Sequence, residues 1–424
     1  MGGEWRSGTV LELQAAGVLL VEDGNHGEYR PRPDEFVDRG VAFIRAADMD
    51  NGRVLFDAAS KINEVARRRI TKGVGARGDV LLSHKGTVGK VALVPDDAPD
   101  FVCSPQTTFW RVLDEDVLDR RYLHALLRSP GFHRQLATRA GETDMAPYVS
   151  LTSQRGLTVS FPPLPEQRAI ARILSALDDK IELNRKMNAT LEAMARALFK
   201  SWFVDFGPVR AKAEGQTPND MDPATAALFP SEFQDSELGE IPKGWAICPL
   251  GDVLELKRGY DLPTKQRVPG AVPIVSSSGP SGWHAESKVE GPGVATGRYG
   301  TIGRVFLVWE DFWPLNTTLY LRDRKGNDLL YCYFLLRGID FFKFSDKAAV
   351  PGVNRNHVHQ EAVVCPPLAI QRAFSQLVVQ WLGLVRVNES QGIALAEIRD
   401  AFLPRLLSGE LSVTQADQAM EATA

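Results

Sequence analysis

An internal repeat is the feature that most constrains the fold of this 424-residue chain. Five motifs recur in the same order, and the distance between the two copies falls from 243 residues at the first pair to 204 at the last. Ordered motifs with steadily shrinking offsets indicate two homologous halves that differ by loop deletions. The pairs are "GTVLEL" and "GDVLEL", "GTVGKV" and "GTIGRV", "QTTFW" and "NTTLY", "YLHALLR" and "YCYFLLR", and "FPPLPEQRAI" and "CPPLAIQRAF".

Each half begins with short β-rich runs between Gly and Pro turns and ends in one long helix. Apolar positions alternate in steps of four and three from Ile170 to Trp202, and the same spacing returns from Phe374 to Leu406, with Gly392 as one flaw and Arg399 as another. A 3.5-residue period predicts a two-stranded coiled coil. We therefore expect an α+β fold: two homologous mixed α/β domains separated by two long helices that form an antiparallel coiled coil, with an internal pseudo-twofold axis.

Two asparagines interrupt the apolar stripes near the middle of the helices. Asn184 and Asn388 occupy heptad positions that otherwise carry apolar residues. A polar residue at such a position can specify register at a cost in stability. We hypothesise that Asn184 and Asn388 meet across the axis and set the register of the spacer helices; two solvated asparagines are the open alternative.

Charge, cysteine spacing and hydropathy limit the protein class. The net charge of −4 argues against a protein that coats nucleic acid indiscriminately. The four cysteines lie far apart with no CxxC spacing, which predicts neither a zinc cage nor a disulfide framework and fits a reducing cytoplasm. No apolar run approaches the roughly 20 residues of a bilayer crossing. The start "MGGEWRSG" lacks a hydrophobic signal core. We expect a cytoplasmic protein with no membrane contact.

The motifs together resemble the specificity subunit of Type I restriction-modification enzymes. The resemblance rests on "PPLPEQRAIARILSALDDKIELNRKMNATLEAMARALFKSWFVDF", the lead-in "SELGEIPKGW" and the closing "FLPRLLSGEL". It departs at the second long helix, where Ala369 and Ile370 replace Pro165 and Glu166, so we expect a different helix cap there.

The resemblance implies a function in phage defence and DNA methylation. The family member is a non-catalytic subunit of a complex that acts as Type I site-specific endonuclease and adenine DNA methyltransferase. It binds an asymmetric bipartite site in double-stranded DNA, one half-site per target recognition domain, and assembles two methyltransferase and two restriction or motor subunits. The chain itself would bind no cofactor or metal; S-adenosylmethionine belongs to the methyltransferase partner, and ATP and Mg to the motor partner.

The resemblance and the repeat together give a domain layout. Five prolines between Trp202 and Trp245 predict an extended connection between the halves and not a further domain. The expected segments are target recognition domain 1 at 1–160, the first long helix (spacer and methyltransferase docking) at 161–203, the extended connection at 204–244, target recognition domain 2 at 245–365, the second long helix at 366–410, and a C-terminal tail at 411–424.

A local basic cluster lies in the first half. Eight cations face only Glu64 and Asp79 between positions 61 and 90. Cations hold the DNA backbone without reading sequence. Five of these cations are the candidates for phosphate contacts: Arg67, Arg68, Arg69, Lys72 and Arg77.

Base readout is expected where the halves share a frame and differ in side chains. The loops "SHKGTVGK" and "TGRYGTIGR" share glycines that shape a turn, and the segments "SLTSQR" and "NRNHVH" differ in the same way. Their polar side chains include groups that read purine edges. The candidates are Ser83, His84, Lys85, Thr87, Arg298, Tyr299, Thr301, Asn354, Arg355, Asn356 and His357. A structural role is favoured for the residues that both halves carry, which are Gln106, Thr107, Asn316 and Thr317.

Catalytic patterns in the chain do not meet their structural requirements. "GVGARG" fits GxGxxG but precedes a strand where a helix is required, and "KGTVGKV" lacks the spacing of a phosphate-binding loop. Two other functions remain open: a coiled-coil scaffold that organises partner proteins without touching DNA, and a recognition subunit of another phage-defence system. Specific, salt-sensitive binding to a split duplex site distinguishes the scaffold from a DNA-binding subunit.

Overall fold

The structure is a computed structural model that describes residues 4–140, 147–218, 221–345 and 352–421. The chain divides into two compact units. Unit 1 contains residues 1–184 and 390–424, and unit 2 contains residues 185–389. Each unit therefore takes one half of each long helix.

Unit 1 contains a two-stranded, a four-stranded and a six-stranded sheet among its described residues. Its strands are β1 (Arg6–Thr9), β2 (Leu19–Asp23), β3 (Phe36–Val37), β4 (Val41–Ile44), β5 (Met49–Asp50), β6 (Gly52–Val54), β7 (Lys61–Ile62), β8 (Val80–Lys85), β9 (Thr87–Leu93), β10 (Phe101–Cys103), β11 (Thr107–Val112) and β12 (Thr158–Phe161). The sheet orders are β1-β12, β10-β4-β7-β3 and β2-β11-β8-β9-β6-β5. The helices up to the first long one are α1 (Val10–Ala15), α2 (Glu64–Arg69), α3 (Arg120–Arg128), α4 (Pro130–Ala140), α5 (Leu151–Arg155) and α6 (Leu164–Phe203).

Unit 2 repeats the plan with a smaller sheet system. Its strands are β13 (Phe233–Gln234), β14 (Ile241–Pro242), β15 (Ala246–Pro249), β16 (Glu255–Arg258), β17 (Val272–Ser276), β18 (Gly279–His284), β19 (Gly293–Gly297), β20 (Val305–Val308), β21 (Trp313–Pro314), β22 (Thr318–Asp323) and β23 (Ala362–Cys365). The sheet orders are β13-β14, β15-β23, β16-β22-β19-β20 and β18-β17-β21. The remaining helices are α7 (Gly207–Ala213), α8 (Pro223–Ala227), α9 (Leu250–Val253), α10 (Leu329–Gly338), α11 (Arg355–Val358), α12 (Leu368–Leu407) and, in unit 1, α13 (Val413–Glu421).

A buried glutamine in the repeated motif has the same structural role at the start of each long helix. Gln167 accepts a hydrogen bond from the backbone N–H of Asp119 (2.9 Å) and donates to the carbonyls of Val117 and Pro162. Asp119 is in turn the N-cap of α3. The side chain therefore joins the start of α3 to the start of α6, and its burial makes each of these hydrogen bonds costly to lose.

The second copy of the motif makes the same joint. Gln371 accepts from the N–H of Asp328 (2.9 Å), the N-cap of α10, and donates to Pro366 O and Asn327 Oδ1. Both long helices begin at the equivalent leucine, Leu164 and Leu368. The substitution of Pro165 and Glu166 in the second copy therefore leaves the helix start in place.

The two long helices pair with each other and run antiparallel, as expected for this fold. In unit 1, Asp178 of α6 contacts Arg399 of α12. In unit 2, the later residue Asn188 of α6 contacts the earlier residues Asn388 and Val385 of α12. Residue numbers therefore rise along one helix as they fall along the other, which is the antiparallel arrangement. Both helices contain 40 residues, close to the predicted lengths.

The apolar stripe of α12 is used inside the protein. Among the described residues, α12 is the one helix whose length and hydropathy would suffice to cross a membrane. Ile370, Phe374 and Val378 are nevertheless buried in the main core of unit 2, and Leu403 and Leu406 in that of unit 1. One face of α12 is therefore a core face, while other apolar side chains of the helix stay exposed.

Two segments are more structured than the sequence indicated. The stretch predicted as an extended connection contains α7, α8 and the β13–β14 pair, and Phe206, Val209 and Phe229 join the core of unit 2. The predicted C-terminal tail contains α13, which buries Ala416 in unit 1. In both segments a few apolar side chains among polar residues are enough to anchor the chain, and in the connection the prolines also disguised them.

A disulfide corrects the expectation drawn from cysteine spacing. Cys248 on β15 is bonded to Cys365 on β23, across 117 residues of sequence. The two strands pair in antiparallel fashion, with Ala246 opposite Cys365, and this pairing brings the thiols together. Cys103 and Cys332 are free and buried.

Candidate nucleic-acid interface

A glycine hairpin in unit 1 presents the first group of predicted base-reading residues. It joins β8 to β9, and Gly86 and Gly89 at its turn have φ of 78° and 97°, a region that favours glycine. Lys85 and Thr87 flank Gly86 as a cross-strand pair and are exposed. Their side chains are free to meet a ligand at the tip.

Two predicted residues of the same loop are buried. The Ser83 hydroxyl accepts a hydrogen bond from the N–H of Lys90 (2.8 Å), and His84 Nδ1 hydrogen-bonds the carbonyl of Val149 (3.0 Å). Burial lowers the pKa of His84, so the ring is neutral at pH 7. Ser83 and His84 shape the hairpin, and their burial speaks against the direct base contacts predicted for them.

The equivalent loop of unit 2 joins β19 to β20. Gly300 and Gly303 again have positive φ, 82° and 81°. Tyr299 and Thr301 are exposed, and Arg298 is half-buried with its guanidinium over the ring of Tyr299. The frame and the threonine are shared with unit 1, while Tyr299 stands where unit 1 has Lys85.

A second predicted segment lies beside the hairpin in each unit. In unit 1 the N–H of Val149 donates to the carbonyl of His84 (2.9 Å). In unit 2 the N–H of Val353 donates to the carbonyl of Arg298 (2.9 Å). The structure thus brings together the hairpin and the segment that follows α4 or α10, which the sequence separates by about sixty residues.

The polar residues of the second segment differ in whether their side chains are already hydrogen-bonded within the protein. In unit 2, Asn354 caps α11 by accepting from the N–H of Asn356 (3.0 Å), and Arg355 donates to the carbonyl of Leu256. The side chain of Asn356 and that of His357 are exposed. Asn354 and Arg355 therefore hold the segment in place, and Asn356 and His357 remain the better candidates for base contact.

The threonines that both halves share are structural, as predicted. Thr107 is fully buried and donates to the carbonyls of Ile44 and Ser104. Thr317 supports the hairpin of unit 2, since its carbonyl accepts from the N–H groups of Arg298 and Tyr299 (2.8 and 3.1 Å).

The basic cluster of unit 1 divides into free and paired cations. Arg69 makes a two-pronged ion pair with Glu35 (2.5 and 2.7 Å), which with the backbone N–H of Arg32 lowers the pKa of Glu35 to about 2. Arg68 and Lys72 are exposed. Arg69 is therefore committed to the fold rather than to the predicted phosphate contact.

The other two cations of the cluster are tied only by single bonds to backbone carbonyls. Arg67, which is half-buried, reaches the carbonyl of Ile70 at 3.5 Å. Arg77 is exposed and donates from Nε to the carbonyl of Ala98 (3.0 Å). Their other guanidinium N–H groups leave phosphate contact open as a prediction.

The predicted register asparagines each bond the opposite long helix. Asn184 Nδ2 donates to Gln391 (2.8 Å) in unit 1, and Asn388 Nδ2 donates to Asn188 (2.8 Å) in unit 2. Neither asparagine is merely solvated, since both are buried. The direct meeting of Asn184 with Asn388 stays a prediction.

An ion-pair network also fastens the long helices in unit 1, and the sequence did not reveal it. Asp178 of α6 binds Arg128 at the end of α3 (2.5 Å) and Arg399 of α12 (2.9 Å). Burial acts to raise the pKa of Asp178, but the hydrogen bonds and charges of Arg128 and Arg399 outweigh it, so the net shift is downward. The apparent flaw at Arg399 in the heptad pattern is therefore a charged tie between three helices.

Comparison with known proteins agrees with this arrangement. The family model for the Type I restriction modification DNA specificity domain matches residues 26–193. The specificity subunit of the Type I restriction enzyme HindI from Haemophilus influenzae is 26% identical, over 88% of this chain and 94% of that protein. The MjaIX specificity subunit from Methanocaldococcus jannaschii is 25% identical, over 90% and 89%. Over most of its length, this chain is similar to specificity subunits of Type I restriction-modification enzymes.

A solved structure shares the fold. The S subunit of a Type I restriction-modification system from M. genitalium superposes with a TM-score of 0.59 at 16% sequence identity, covering 95% of this chain and 96% of that one. At such low identity the likeness concerns the fold alone.

Proposed function

We propose that the chain reads an asymmetric, two-part site in double-stranded DNA, one half-site per unit, without catalysing a reaction itself. One observation carries the proposal: the same glycine hairpin presents Lys85 in unit 1 and Tyr299 in unit 2, beside a threonine that both units keep (Thr87 and Thr301). Different side chains on one frame read different base edges. An asymmetric site follows, and the free cations Arg68 and Lys72 supply phosphate contacts that position the reader.

The proposed partners are two methyltransferase and two restriction or motor subunits. The long helices offer them an apolar surface, because several large side chains on α6 and α12 are exposed. Contiguous exposed apolar surface typically marks an interface with another protein. S-adenosylmethionine would be bound by the methyltransferase, and ATP and Mg by the motor. The complex is expected to act in the cytoplasm, in defence against phage. The exposed apolar residues on α6 and α12 are Leu183, Met187, Met194, Leu377, Val379, Leu384, Val387 and Ile393.

Methylation mapping tests the proposal. The chain and its methyltransferase partner are co-expressed in a host without DNA methylation, and modified bases are located by single-molecule sequencing. The expected result is one new motif with two defined parts separated by a fixed number of unspecified base pairs. The double variant Lys85→Ala, Thr87→Ala is expected to alter one part of the motif only. The exposed pair Arg322→Ala, Arg324→Ala, at the end of β22 away from the unit 2 hairpin, serves as the control.

Two outcomes would contradict the proposal. A new motif that is contiguous, without an unspecified gap, would show that the units do not read separate half-sites. The absence of any motif, together with gel-shift experiments that show no salt-sensitive binding to duplex DNA, would favour a protein scaffold. A motif that is bound and methylated but never cleaved, with no motor gene adjacent, would point to another defence system.

A further inference from the structure

Each unit presents an exposed tyrosine at the tip of its glycine hairpin, but the two tyrosines come from opposite backbone segments. In unit 1 an isolated bridge pairs Lys85 of the hairpin with Tyr148; in unit 2 the bridge pairs Tyr299 of the hairpin with Gly352. Tyr148 is 36% exposed and Tyr299 is 42% exposed. In each unit a tyrosine lies at this bridge, but it belongs to the hairpin in unit 2 and to the neighbouring segment in unit 1. Alignment of the two repeats therefore does not match the two tyrosines.

A cation accompanies each ring. The ammonium of Lys85 lies 5.9 Å from the centroid of Tyr148, and the guanidinium of Arg298 lies 4.4 Å from that of Tyr299. Both distances are within the range of a cation–π contact. Each tip therefore combines a π-face with a positive charge, which are the two groups that nucleic-acid sites use for bases and phosphates.

The backbone holds both rings in place. Beside Tyr148, the N–H of Gly86 donates to the carbonyl of Pro147 (3.0 Å). In unit 2, a Cβ added to Gly352 would lie 2.3 Å from Cε1 of Tyr299, so the ring packs directly on a backbone where only glycine fits. An aromatic ring that is both exposed and fixed is suited to contact a partner at little cost in side-chain entropy.

We propose that Tyr148 and Tyr299 each stack on a nucleobase at a base step of duplex DNA, within the half-site of their own unit. Side chains that wedge between base steps partly unstack them and thereby make the contact sensitive to the sequence of the step. Lys85 and Arg298 would place a positive charge beside the stacked base. This inference rests on the proposed function and adds the residues and the mode of contact.

The test uses the complex of the full chain with its methyltransferase and the split site found by methylation mapping. Duplexes carry 2-aminopurine, whose fluorescence rises when it is unstacked, in one half-site or the other. Tyr148→Phe and Tyr299→Phe are expected to bind within about threefold of the parent. Tyr148→Leu and Tyr299→Leu, which keep apolar packing but lose the π-face, are expected to weaken cognate binding by roughly 10- to 100-fold.

The effect is expected to be confined to one half-site per tyrosine. The Leu variant in unit 1 should abolish the fluorescence rise in one half-site and leave the other unchanged, and the unit 2 variant should do the reverse. Trp283→Leu, at a 63% exposed aromatic near the far end of β18, is the matched control and should leave both signals intact. Thermal melting and binding to non-cognate DNA verify that each variant is folded.

The failure of this inference is distinguishable from failure of the proposed function. If the parent complex binds the split site and the folded Leu variants bind it equally well, stacking by the tyrosines is wrong and two-part recognition stands. An equal loss caused by Trp283→Leu would also overturn the assignment to the hairpin tips. A parent complex that binds no split site would reject both.

Discussion

Neighbouring arginines of the basic cluster illustrate how identical side chains acquire different roles. Arg68 is exposed, whereas Arg69 is held by the buried carboxylate of Glu35. The sequence shows three consecutive cations and cannot show which one meets a carboxylate 34 residues away. One cation thus maintains the fold and its neighbour is left for the ligand.

Separate substitutions at the two arginines should have opposite signatures. Arg68→Met is expected to leave the melting temperature unchanged and to reduce the slope of log K against log[salt] by about 0.9, the contribution of one phosphate contact. Arg69→Met is expected to lower the melting temperature because it leaves a buried carboxylate unpaired. Circular dichroism melts and salt-titrated binding check the pair; an Arg68 variant with the parental salt slope would contradict the phosphate contact.

The effect of Arg69→Met should depend on pH. The folded pKa of Glu35 is depressed to about 2 from an ordinary value of about 4.3. The ion pair therefore contributes its full stabilisation above the ordinary pKa and loses it as pH falls towards 2. The difference in melting temperature between parent and variant is expected to narrow below about pH 4.

The buried glutamines offer a second test at the residue scale. In the Gln371→Leu variant, the N–H of Asp328 loses its hydrogen-bond acceptor and the carbonyl of Pro366 loses its donor. Each buried group left unsatisfied costs about 1–3 kcal/mol, so a loss of roughly 2–6 kcal/mol is expected for the two groups. Thermal or urea denaturation measures it. Gln266→Leu, at an exposed turn, is the control, and equal stability of the two variants would disprove the joint.

The sequence predicted the exposed residues at the hairpin tip, but it did not show which neighbouring residues are buried. Lys85 and Thr87 were predicted and are exposed, whereas Ser83 and His84 face covered surfaces of the six-stranded sheet. Alternation along a strand does not reveal that both faces are buried. Tyr148 was missed because its structural counterpart is Gly352, so the repeat carries no matching letter.

The long helices were the most predictable elements. Their heptads fixed both the boundaries and the partner, because a 3.5-residue apolar stripe must be covered along its whole length. Arg399 read as a defect in that stripe because its partner, Asp178, lies 221 residues away. A tertiary ion pair of this kind has no local signature.

Replacing both register asparagines tests their role. Asn184→Leu with Asn388→Leu is expected to raise the melting temperature, since buried polar groups are exchanged for apolar ones, while loosening the helix alignment. Spin labels at both ends of α6 and α12 measure the distribution of distances. A distribution as narrow and as centred as in the parent would disprove the register hypothesis; each single variant serves as a control.

The disulfide marks a limit of prediction at the element scale. Cys248 and Cys365 become neighbours only through the β15–β23 pairing, which their spacing of 117 residues does not encode. Protein purified without reductant and then denatured should show two reactive thiols, from Cys103 and Cys332, and four after reduction. Alkylation followed by mass measurement counts them. Four thiols before reduction would show that the cysteines stay reduced in the cell.

The whole molecule is expected to act as a ruler along DNA. Seven residues inserted into each long helix, between Asn184 and Asn188 and between Asn388 and Gln391, extend the helix pair by about 10 Å. At about 3.4 Å per base pair, the unspecified gap of the methylated motif should lengthen by roughly three base pairs. Methylation mapping measures the gap. An unchanged gap would contradict the ruler, and an insertion in α6 alone is the control for loss of pairing.

Unit 1 is assembled from both ends of the chain, from residues 1–184 and 390–424. During synthesis its sheets leave the ribosome first, yet the helix half that covers Ile170 and Leu174 is made last, with Leu403 and Leu406. Synthesis of unit 2 is complete once residue 389 has been added, before unit 1 has its last segment. The part of the protein that is translated earliest therefore finishes folding latest, and premature termination before position 390 would expose its core to chaperones and proteases.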